Sequence, residues 1–537
     1  KVWKEYDIKN LGDYHDLKTD VCLLADIFER FRDISLNIYK LDPAHYYTAP
    51  GLAWDAALKI TDVKLELLTD INMLLMIERG MRGGISMISK RFAQANNPYM
   101  GKLYDSNKET SYLLYIDCNN LYGWAMSQPL PTSGFKWNRD KWTVDKILDI
   151  DNDGDIGYIF DVDLDYPEEL HDEHNCYPLA PENTNPVESR FMKSIREKYD
   201  LDLSKEKKLI PNLNNKKNYV VHYRNLQLYL QLGLKLKKVH RVLQFKQSPW
   251  LKKYIELNTN ERKNAKTDFE KDFYKLMNNS VFGKTMENVR KRVNIVLVKN
   301  TEKALEKAKR PNFKRFQIIN NDLLIMEMQR LKVLINKPIF VGFSILDLSK
   351  VMMYDFHYNV MKKKYGKNIE LCFTDTDSFL YHIKTNDVYK DILQMKDKFD
   401  LSEYPKDSEM YDPTNKKVIG KFKDEVPVGT ITEFVGLKAK MYSTKIYIND
   451  NKYSEKKRGK GISKHFMKKH ISHENYRNAI LGNDGMQNAQ FKTIRAVNQK
   501  LYTFDISKTG LCVYDDKRIV LDDGITTLTI GHKIVKI

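Results

Sequence analysis

The amino-acid sequence predicts a large mixed α/β (α+β) protein of several subdomains, and three observations lead to this prediction. Its 537 residues, 42% of them hydrophobic, are enough to bury several cores. Apolar residues recur at helical spacing in some stretches, as at Val21, Leu24, Phe28 and Phe31, which predicts a packing helix. Elsewhere they form short runs or alternate with polar residues, which predicts strands and hairpins.

The charge and the cysteines narrow the class of partner and the compartment. Lysine and arginine total 89 against 71 acidic residues, a net charge of +18. This excess favours an acidic polymer, most simply nucleic acid, as a partner, and a solubilising positive surface is the alternative. Five cysteines without CxxC spacing favour neither a zinc ribbon nor a disulfide framework, so we expect a reducing intracellular compartment. No run approaches the roughly 18 apolar residues of a membrane span, so no membrane partner is expected.

The N-terminal part reads as helices separated by breaks. Asp42-Pro43 interrupts the first helix, and a second helical stretch runs irregularly to about Glu78. The stretch Gly80–Gly84 then breaks the pattern. Its paired glycines would let the backbone approach a ligand closely, and Arg82 offers charge there; a plain loop is the alternative.

A first acidic position follows a buried strand. The apolar run Tyr112–Asp117 predicts a strand with Asp117 at its tip, and Asn119, Asn120 and Gly123 supply a turn. From Pro129 to about Leu236 the chain is irregular, which we interpret as an insertion between core elements. Within it, His171–Cys176 contains metal-binding residue types, but their spacing fits no zinc pattern, so a polar loop is predicted.

A capped helix brings a cation, an amide and an aromatic ring together. Thr267–Glu270 forms a capping box, and the following helix places Lys275, Asn279 and Phe282 on one face, with Gly283 beside them. This set suits a triphosphate and a base. A solvated face with one core aromatic residue is the alternative.

Two aspartates lie at the tip of a predicted hairpin near residue 376. After strands from Val293 and a helix over 341–365, the stretch Leu371–Tyr381 has two apolar runs around Asp375 and Asp377. Two carboxylates on the same side of a turn repel unless a cation lies between them, and such hard ligands suit Mg²⁺ or Mn²⁺. An ordinary Asx-type turn is the alternative.

The C-terminal part carries a lysine-rich stretch. Eight lysines or arginines lie between Lys452 and Lys469, and they most simply meet phosphate, although a solvated face is equally consistent. Taken together, Asp117, Asp375, Asp377 and Lys275 supply the three acids and the cation that two-metal phosphoryl transfer requires.

Three separated stretches resemble the conserved motifs of family B DNA polymerases. Asp117–Tyr122 resembles motif A, Lys275–Gly283 resembles motif B, and Thr374–Ser378 resembles motif C, in the same order. Lys440-Met-Tyr442 resembles the lysine-x-tyrosine motif, and Met81–Gly84 the tyrosine-x-glycine-glycine linker. The run from about Gly12 to Lys533 is most similar to the protein-primed branch of viruses, linear organellar plasmids and self-synthesising transposons.

The resemblance implies a right-hand polymerase fold with an antiparallel palm sheet, helical fingers and a thumb. The implied divisions are the end of an exonuclease domain (1–79), the first part of the palm (80–131), a first terminal-protein region (132–236), fingers (237–292), a second terminal-protein region (293–335), the second part of the palm (336–445), and the thumb with the C-terminal region (446–537).

It also implies roles for individual residues. Asp117 and Asp377 would ligate two Mg²⁺ or Mn²⁺ ions with Asp375 close by, and Lys275 would hold the triphosphate. The implied nucleotide-binding residues are Leu121, Tyr122, Lys263, Lys275, Asn279, Phe282 and Gly283. The implied DNA-binding residues are Arg82, Gly83, Gly84, Lys440, Tyr442, Lys457, Arg458 and Lys460. The implied partners are template and primer DNA, dNTPs and a terminal priming protein.

The sequence departs from the family pattern in several places. Asn120 stands where serine is usual, Gly123 where proline is usual, Phe282 where motif B has tyrosine, and Met81 replaces the linker tyrosine. The chain begins at Lys1 without methionine, so we expect a segment excised from a longer product. Only one exonuclease signature, Tyr14–Asp20, remains and looks shortened, so we expect no 3′–5′ proofreading from this chain.

Three other activities fit parts of this pattern. A family B polymerase could extend ordinary nucleic-acid primers, and a catalytically silent subunit could bind nucleic acid without extending it. A two-metal nuclease would also use clustered acids but has no need of the nucleotide-facing helix. The sequence leaves open whether the product of this viral or mobile-element type of gene works in the cytoplasm, nucleus or mitochondrion of its host.

Overall fold

The computed structural model describes residues 15–482, 485–497 and 500–535. The elements up to residue 231 are α1 (His15–Tyr39), α2 (Ala49–Thr61), α3 (Ile71–Gly80), β1 (Ser86–Ile88), β2 (Phe92–Gln94), β3 (Ser111–Cys118), α4 (Leu121–Met126), β4 (Leu130–Asn138), α5 (Val144–Leu148), β5 (Ile156–Asp165), α6 (His171–His174), β6 (Glu182–Thr184), α7 (Arg190–Lys198), β7 (Lys208–Ile210), β8 (Lys216–His222) and α8 (Tyr223–Gln231).

The elements from residue 235 to residue 394 are β9 (Lys235–Ser248), α9 (Lys252–Asn264), α10 (Asp268–Thr285), β10 (Asn294–Val298), α11 (Thr301–Ala308), β11 (Phe313–Asn320), β12 (Leu323–Met328), α12 (Ile339–Asp355), a π-helical segment (Phe356–Lys362), α13 (Lys363–Tyr365), β13 (Ile369–Asp375), β14 (Ser378–Lys384) and α14 (Val388–Gln394). The remaining elements are β15 (Phe422–Asp424), β16 (Thr430–Lys438), β17 (Met441–Asn449), β18 (Lys452–Gly459), α15 (Lys464–His470), α16 (His473–Leu481), β19 (Met486–Val497), β20 (Lys500–Cys512), β21 (Ile519–Val520) and β22 (Thr527–Leu528).

A nine-stranded central sheet holds the predicted acidic strand and the predicted acidic hairpin. Its main order is β1-β13-β14-β3-β16-β17-β18, with β15 on β3 and β2 on β16, and all recorded pairs are antiparallel. In β3, Tyr112, Leu114 and Ile116 belong to one core cluster while Leu113 and Tyr115 belong to another. Both faces of this strand are therefore buried, which explains its continuous apolar sequence. The antiparallel sheet agrees with the mixed α/β fold predicted for the chain.

Helix α12 packs against helices α3, α4, α8 and α10 and against strands β4 and β8, and the segment that follows it reaches the central sheet. The helix continues through the π-helical segment into α13, so the predicted helix over 341–365 is confirmed. Fourteen of the 17 residues of α12 are buried. The Phe356 ring, just beyond it, stacks at 3.7 Å on the ring of Phe422 in β15. Even Asp347 and Lys350 of this helix are buried, because it is enclosed on several sides.

The stretch 132–236 is more regular than the sequence predicted. With β9 it forms a four-stranded antiparallel sheet of order β4-β9-β5-β8. The acidic run concealed a strand, because Asp161 is buried against Arg79 and Arg241 while Phe160, Val162 and Leu164 enter the core. Because the charge of Asp161 is paired with two arginines, strand β5 can bury an acidic residue, and its sequence resembles that of a polar loop.

The prediction of a polar loop at His171–Cys176 is also wrong. Residues His171–His174 form a short helix, and both histidines are buried. His171 Nδ1 accepts a hydrogen bond from the Lys533 backbone N–H at 2.9 Å, and His174 Nδ1 lies 2.8 Å from the Tyr166 hydroxyl. These histidines therefore join the inserted sheet to the C-terminal segment.

The predicted packing face of α1 is largely open. Val21, Leu24 and Phe28 are 60%, 66% and 40% exposed, and Phe31 is the member of the set that contacts the core, with its ring 5.4 Å from that of Phe273. The helical spacing was predicted correctly, but the expected burial was wrong for these three residues. Tyr14 of the exonuclease-like signature lies outside the described residues, as does the side chain of Asp20.

The strands predicted from Val293 onwards form a separate small sheet of order β10-β12-β11, covered by α11. Further along, β19 and β20 form a long two-stranded hairpin. The C-terminal segment then returns to the central sheet, where the buried Arg91 guanidinium donates to the carbonyls of Leu437, Val513 and Gly524. Among the described helices, none is long and apolar enough to span a membrane.

Candidate active site

Two of the predicted acids lie side by side on neighbouring strands. Asp117 is opposite Ser378 in the β3–β14 register, and the Cys118 N–H donates to the Asp377 carbonyl at 2.7 Å. Thr376, in the left-handed region at φ +69°, makes the sharp turn between Asp375 and Asp377. The predicted hairpin with acids at its tip is therefore confirmed. Asp117 and Asp377 line one cavity of about 290 Å³.

Burial makes this acidic pair reluctant to ionise. Desolvation, and then the charge of Asp377, raises the pKa of Asp117 to about 7. Desolvation, and then the charge of Asp375, raises the pKa of Asp377. A cation between the two carboxylates would remove this penalty, so the residues present fit a divalent metal.

The protein supplies only part of a metal coordination shell. Within the described ranges, no group of three or more His, Cys, Asp or Glu side chains is arranged to hold a metal ion. Asp375 is held apart from the pair, because its Oδ1 lies 2.7 Å from Lys440 Nζ in an ion pair. Two carboxylates with an otherwise open shell are typical of Mg²⁺ sites that are completed by water and substrate phosphates.

The turn after Asp117 uses the two residues that depart from the family pattern. Asn120 adopts the left-handed conformation (φ +46°) as the N-cap of α4, and its side chain accepts a hydrogen bond from the Gly123 N–H at 3.2 Å. A Cβ at position 123 would lie 2.1 Å from Asn120 Nδ2. Asparagine tolerates this conformation and glycine leaves room for it, so the two departures compensate for each other.

Helix α10 faces the acids from the other side of the cavity. Its predicted capping box is present: Thr267 accepts from the Glu270 N–H, and Glu270 accepts from the Thr267 N–H. Lys275 and Asn279 line the cavity together with Leu121 and Tyr122. The Tyr122 ring stacks on Phe282, with centroids 4.6 Å apart and planes 12° from parallel. The predicted helix face thus meets the acidic strands; Gly283 is not among the lining residues.

Several lining residues were missed by the sequence analysis. Arg262, rather than the predicted Lys263, reaches the cavity from α9, and Lys417 and Lys423 line it from the chain beyond β14. Lys423 Nζ lies 3.9 Å from Asp117 Oδ1 and 2.7 Å from Glu425 Oε1. Residues 420–425 form a charged run, but no local pattern connects this run with Asp117, about 300 residues earlier.

The lysine-x-tyrosine stretch braces the acidic hairpin. Lys440, at φ +63° in the turn between β16 and β17, pairs with Asp375. The Tyr442 ring is buried and stacks on Phe373 at 4.2 Å, and its hydroxyl lies 2.9 Å from that of Tyr115. This packing places Tyr442 beneath the hairpin, where it supports the hairpin. A contact between Tyr442 and DNA stays a prediction.

The bend at residues 81–84 also reaches the hairpin. Arg82 is buried, lies 3.7 Å above the Tyr219 ring and donates to the Val220 carbonyl at 2.7 Å. Gly84 packs against Thr376, and a Cβ there would lie 2.5 Å from two Thr376 side-chain atoms. Arg82 therefore has a structural position. DNA contact by the exposed Gly83 and by Gly84 stays a prediction.

The lysine-rich stretch forms β18 and the start of α15. Lys457 Nζ donates to the Ile471 carbonyl and lies 2.8 Å from Glu455, whereas Arg458 and Lys460 are exposed. The Lys460 N–H donates to the Lys440 carbonyl at 3.1 Å, which places this basic edge beside the lysine-x-tyrosine turn.

Comparison with known protein families assigns the chain. The family model described as "DNA polymerase type B, organellar and viral" matches residues 2–362, more than half of the sequence. The chain therefore belongs to the organellar and viral type B DNA polymerases and is a DNA-directed DNA polymerase.

Solved structures of Phi29 DNA polymerase share its fold. A complex with single-stranded DNA is 15% identical, with a TM-score of 0.53 over 93% of this chain and 72% of that chain. The complex with primer-template DNA is 16% identical, with a TM-score of 0.52 over the same shares of the two chains. An orthorhombic crystal form is 16% identical, with a TM-score of 0.52 over 88% of this chain and 70% of that one. Comparison with curated proteins found no significant match.

Proposed function

We propose that the protein adds dNMPs to a primer 3′-hydroxyl on a DNA template by two-metal phosphoryl transfer. The observation that carries this proposal is the half-buried pair Asp117 and Asp377, which faces Lys275 and Arg262 across one cavity. The pair fits Mg²⁺ or Mn²⁺, and the cations on α9 and α10 fit the phosphates of a dNTP. A silent DNA-binding subunit would have no need to keep two half-buried, mutually repelling carboxylates at this electrostatic cost.

Each side chain then has a role in the reaction. Asp117 and Asp377 would hold two divalent ions, and such ions would supply the charge that favours attack by the 3′-oxygen and departure of the leaving oxygen. Lys275 and Arg262 neutralise the triphosphate, and Tyr122 lies beneath the sugar. Lys440 exchanges its contact with Asp375 for the primer end, while the exposed Arg458 and Lys460 meet the phosphates of the DNA.

The test removes the metal-binding charge without changing shape. Asp117→Asn and Asp377→Asn should each abolish extension of a primed template with dNTPs and Mg²⁺ or Mn²⁺, because an amide cannot hold the cations. DNA binding, measured by fluorescence anisotropy, should remain. Asp407→Asn, at an exposed position, is the matched control and should extend normally. Extension by either active-site variant at the wild-type rate would reject the assignment.

We further propose that the enzyme is protein-primed and displaces the non-template strand. The regions 132–236 and 293–335, which stand where the protein-primed branch carries its extra regions, contain sheets of their own. We assign contact with a terminal priming protein to the first and strand displacement to the second. The free thiols of all five cysteines are compatible with the proposed reducing compartment.

Strand displacement can be tested by shortening the small sheet. Asn294 and Met328 are paired neighbours in β10 and β12, so a short glycine linker can join them in place of residues 295–327. The shortened enzyme should copy a single-stranded template but stop at a blocking oligonucleotide that the intact enzyme passes. Equal passage by both would remove this region from strand displacement.

Protein priming requires a separate assay. Proteins encoded beside this chain would be incubated with it, labelled dNTP and Mn²⁺, and examined for covalently attached dNMP. Label on a protein supports priming by that protein. Label confined to primed DNA in every combination would favour ordinary nucleic-acid primers.

A further inference from the structure

We propose that Lys417 is a nucleotide-positioning residue that holds the β- and γ-phosphates of the incoming dNTP from the side of the central sheet. This inference rests on the proposed polymerase function and adds a contact from outside the motifs that identify the family. Lys417 lies in the connection between α14 and β15, far in sequence from the helices that carry Arg262 and Lys275.

The first observation is a concentration of positive charge in one cavity. Arg262, Lys275 and Lys417 all line it, opposite the acids Asp117 and Asp377. Within the part of the chain that the structure describes, none of these three cations has an ion-pair partner within 4 Å. The buried Nε of Arg262 also has no hydrogen-bond acceptor among the described residues. Cations that converge without protein counter-charges form a site that fits a polyanionic ligand.

The surroundings of Lys417 show mutual repulsion among these cations. Burial lowers the pKa of Lys417, and the charges of Arg262, Lys416 and Lys271 lower it further, while the carboxylate of Glu403, which also lines the cavity, acts in the opposite direction. The cations around Lys417 therefore complement a triphosphate.

The second observation is the backbone that presents this lysine. Lys417 is held at φ +55°, a left-handed conformation that lysine rarely adopts, and its N–H donates to Asp400 Oδ2 at 2.8 Å. The same oxygen accepts a hydrogen bond from Asn119 Nδ2 at 2.8 Å. Asn119 is also joined to this loop by its own N–H to the Lys421 carbonyl and by its carbonyl to the Gly420 N–H.

This network fixes Lys417 to the chain two residues after Asp117. A strained, multiply anchored backbone at a charged side chain is typical of a functional position. The fingers helices α9 and α10 contribute Arg262 and Lys275, whereas Lys417 belongs to the loop bound to the metal-binding strand. Its charge therefore keeps a constant position relative to the reacting phosphorus.

The chemistry explains the use of such a cation. The primer 3′-hydroxyl gives up its proton to water as its oxygen forms a bond to the α-phosphorus, the bond from this phosphorus to the bridging oxygen breaks, and its electron pair leaves with pyrophosphate. Negative charge grows on the β- and γ-phosphates during this step. Lys417 stabilises the bound triphosphate and the leaving pyrophosphate from the palm side.

The experiment measures single-nucleotide addition with intact enzyme on a primed template. Lys417→Asn removes the charge with a residue that tolerates the left-handed backbone, and Lys417→Arg keeps the charge. The exposed neighbour Lys416, which does not line the cavity, supplies the matched control Lys416→Asn. The asparagine variant at 417 should raise KM for dNTP about tenfold, as expected for one lost charge-assisted contact, with a smaller change in kcat.

Inhibition by added pyrophosphate is a second measurement, and the loss of a purely structural residue would not change it. The inhibition constant of added pyrophosphate should rise by a similar factor in Lys417→Asn and stay near the wild-type value in Lys417→Arg and Lys416→Asn. Equal KM and pyrophosphate inhibition in Lys417→Asn and Lys416→Asn would overturn the inference. A loss of primer-template affinity or of thermal stability that accounts for the whole effect would also overturn it.

The result is separable from the proposed function itself. If wild-type enzyme extends primers and Asp117→Asn does not, the polymerase site stands whatever Lys417 does. If wild-type enzyme fails to extend with any metal, the proposed function fails before the Lys417 comparison is made.

Discussion

At the scale of single residues, the environment of Asp117 makes folding stability depend on pH. Its pKa is about 7 in the folded protein and 3.8 in its ordinary state. Between these values the folded chain binds a proton that the unfolded chain has lost, so unfolding free energy falls as pH rises from about 4 to 7. The metal-free protein is therefore weakened at alkaline pH by the charge of Asp117.

We expect Asp117→Asn to stabilise the metal-free enzyme at pH 8, by on the order of 1–2 kcal/mol, because the amide carries no charge to bury. At pH 4 the two proteins should differ little. Thermal unfolding in EDTA measures both, and added Mg²⁺ at pH 8 should raise the midpoint of wild type more than that of the variant. Equal midpoints at pH 8 without metal would contradict the assigned electrostatics.

Tyr122 leads to a prediction about the choice of sugar. Its ring is packed flat on Phe282 at the cavity wall, so its position is fixed. If it lies beneath the sugar, Tyr122→Val should lower the preference for dNTP over rNTP at least about tenfold, the effect of relieving a clash with the 2′-hydroxyl. The ratio of kcat/KM for the two nucleotides measures the preference. Phe282→Tyr keeps the stacked ring and should keep the preference.

At the scale of elements, the bend at residues 83–84 positions the acidic hairpin. The Thr376 N–H donates to the Ile85 carbonyl at 2.7 Å, and the side chain of Thr376 fills the space beside Gly84. The turn that sets Asp377 therefore rests on the chain that leads into β1. The missing side chain at Gly84 is needed for this close approach.

We expect Gly84→Ala to lower kcat at least about tenfold, since shifts of about an ångström at reacting groups have large effects on rate. The added methyl must displace Thr376 and with it Asp377. Gly83→Ala is the matched control, because a Cβ there meets no atom within 4 Å. Steady-state extension and the circular-dichroism melting curve should be measured for both variants. Similar kcat values for the two would show that the turn adapts.

Elements with a strong local signal were predictable, and those that depend on distant partners were not. A few adjacent residues determine the hairpin around Asp375 and Asp377 and the capping box of α10. The predictions of both elements were correct. Strand β5 was missed because Asp161 is neutralised by Arg79 and Arg241, which lie about 80 positions away along the chain.

The same limit applies to the candidate site. The three palm acids and the α10 face could be found from motifs. The sequence analysis predicted Lys263 where the structure has its neighbour Arg262. Spacing does not determine which of two adjacent basic residues faces inward at the end of a helix. Lys417 and Lys423 have no local signature at all, since only the folded loop brings them to Asp117.

At the scale of the whole molecule, the buried cation Arg91 helps to fasten the C-terminal segment to the central sheet. Arg91 is 1% exposed, and its guanidinium donates to the carbonyls of Leu437, Val513 and Gly524 at 2.6–3.0 Å. A second buried arginine, Arg518, binds Thr527, Thr529 and the Asn175 carbonyl. The terminal segment thus holds both the sheet and the 132–236 insertion.

We expect Arg91→Met to destabilise the protein by roughly 3 kcal/mol, because three buried carbonyls lose a charged donor. Urea denaturation measures the loss, and limited proteolysis should cut first beyond β20. Arg495→Met, on the exposed β19–β20 hairpin, is the matched control and should be neutral within about 0.5 kcal/mol. Resistance of the Arg91 variant to both treatments would show that other contacts hold the segment.

The order of strands in the central sheet has a consequence for synthesis on the ribosome. Strand β3 pairs with β14, almost half the chain later, at Asp117 and Ser378. At about 5–20 residues per second, β3 waits roughly 10–50 s for this partner, while the intervening sheets can already close on themselves. The two mutually repelling carboxylates therefore meet only after the intervening sheets can have folded, and the nascent chain lacks the acidic pair until then.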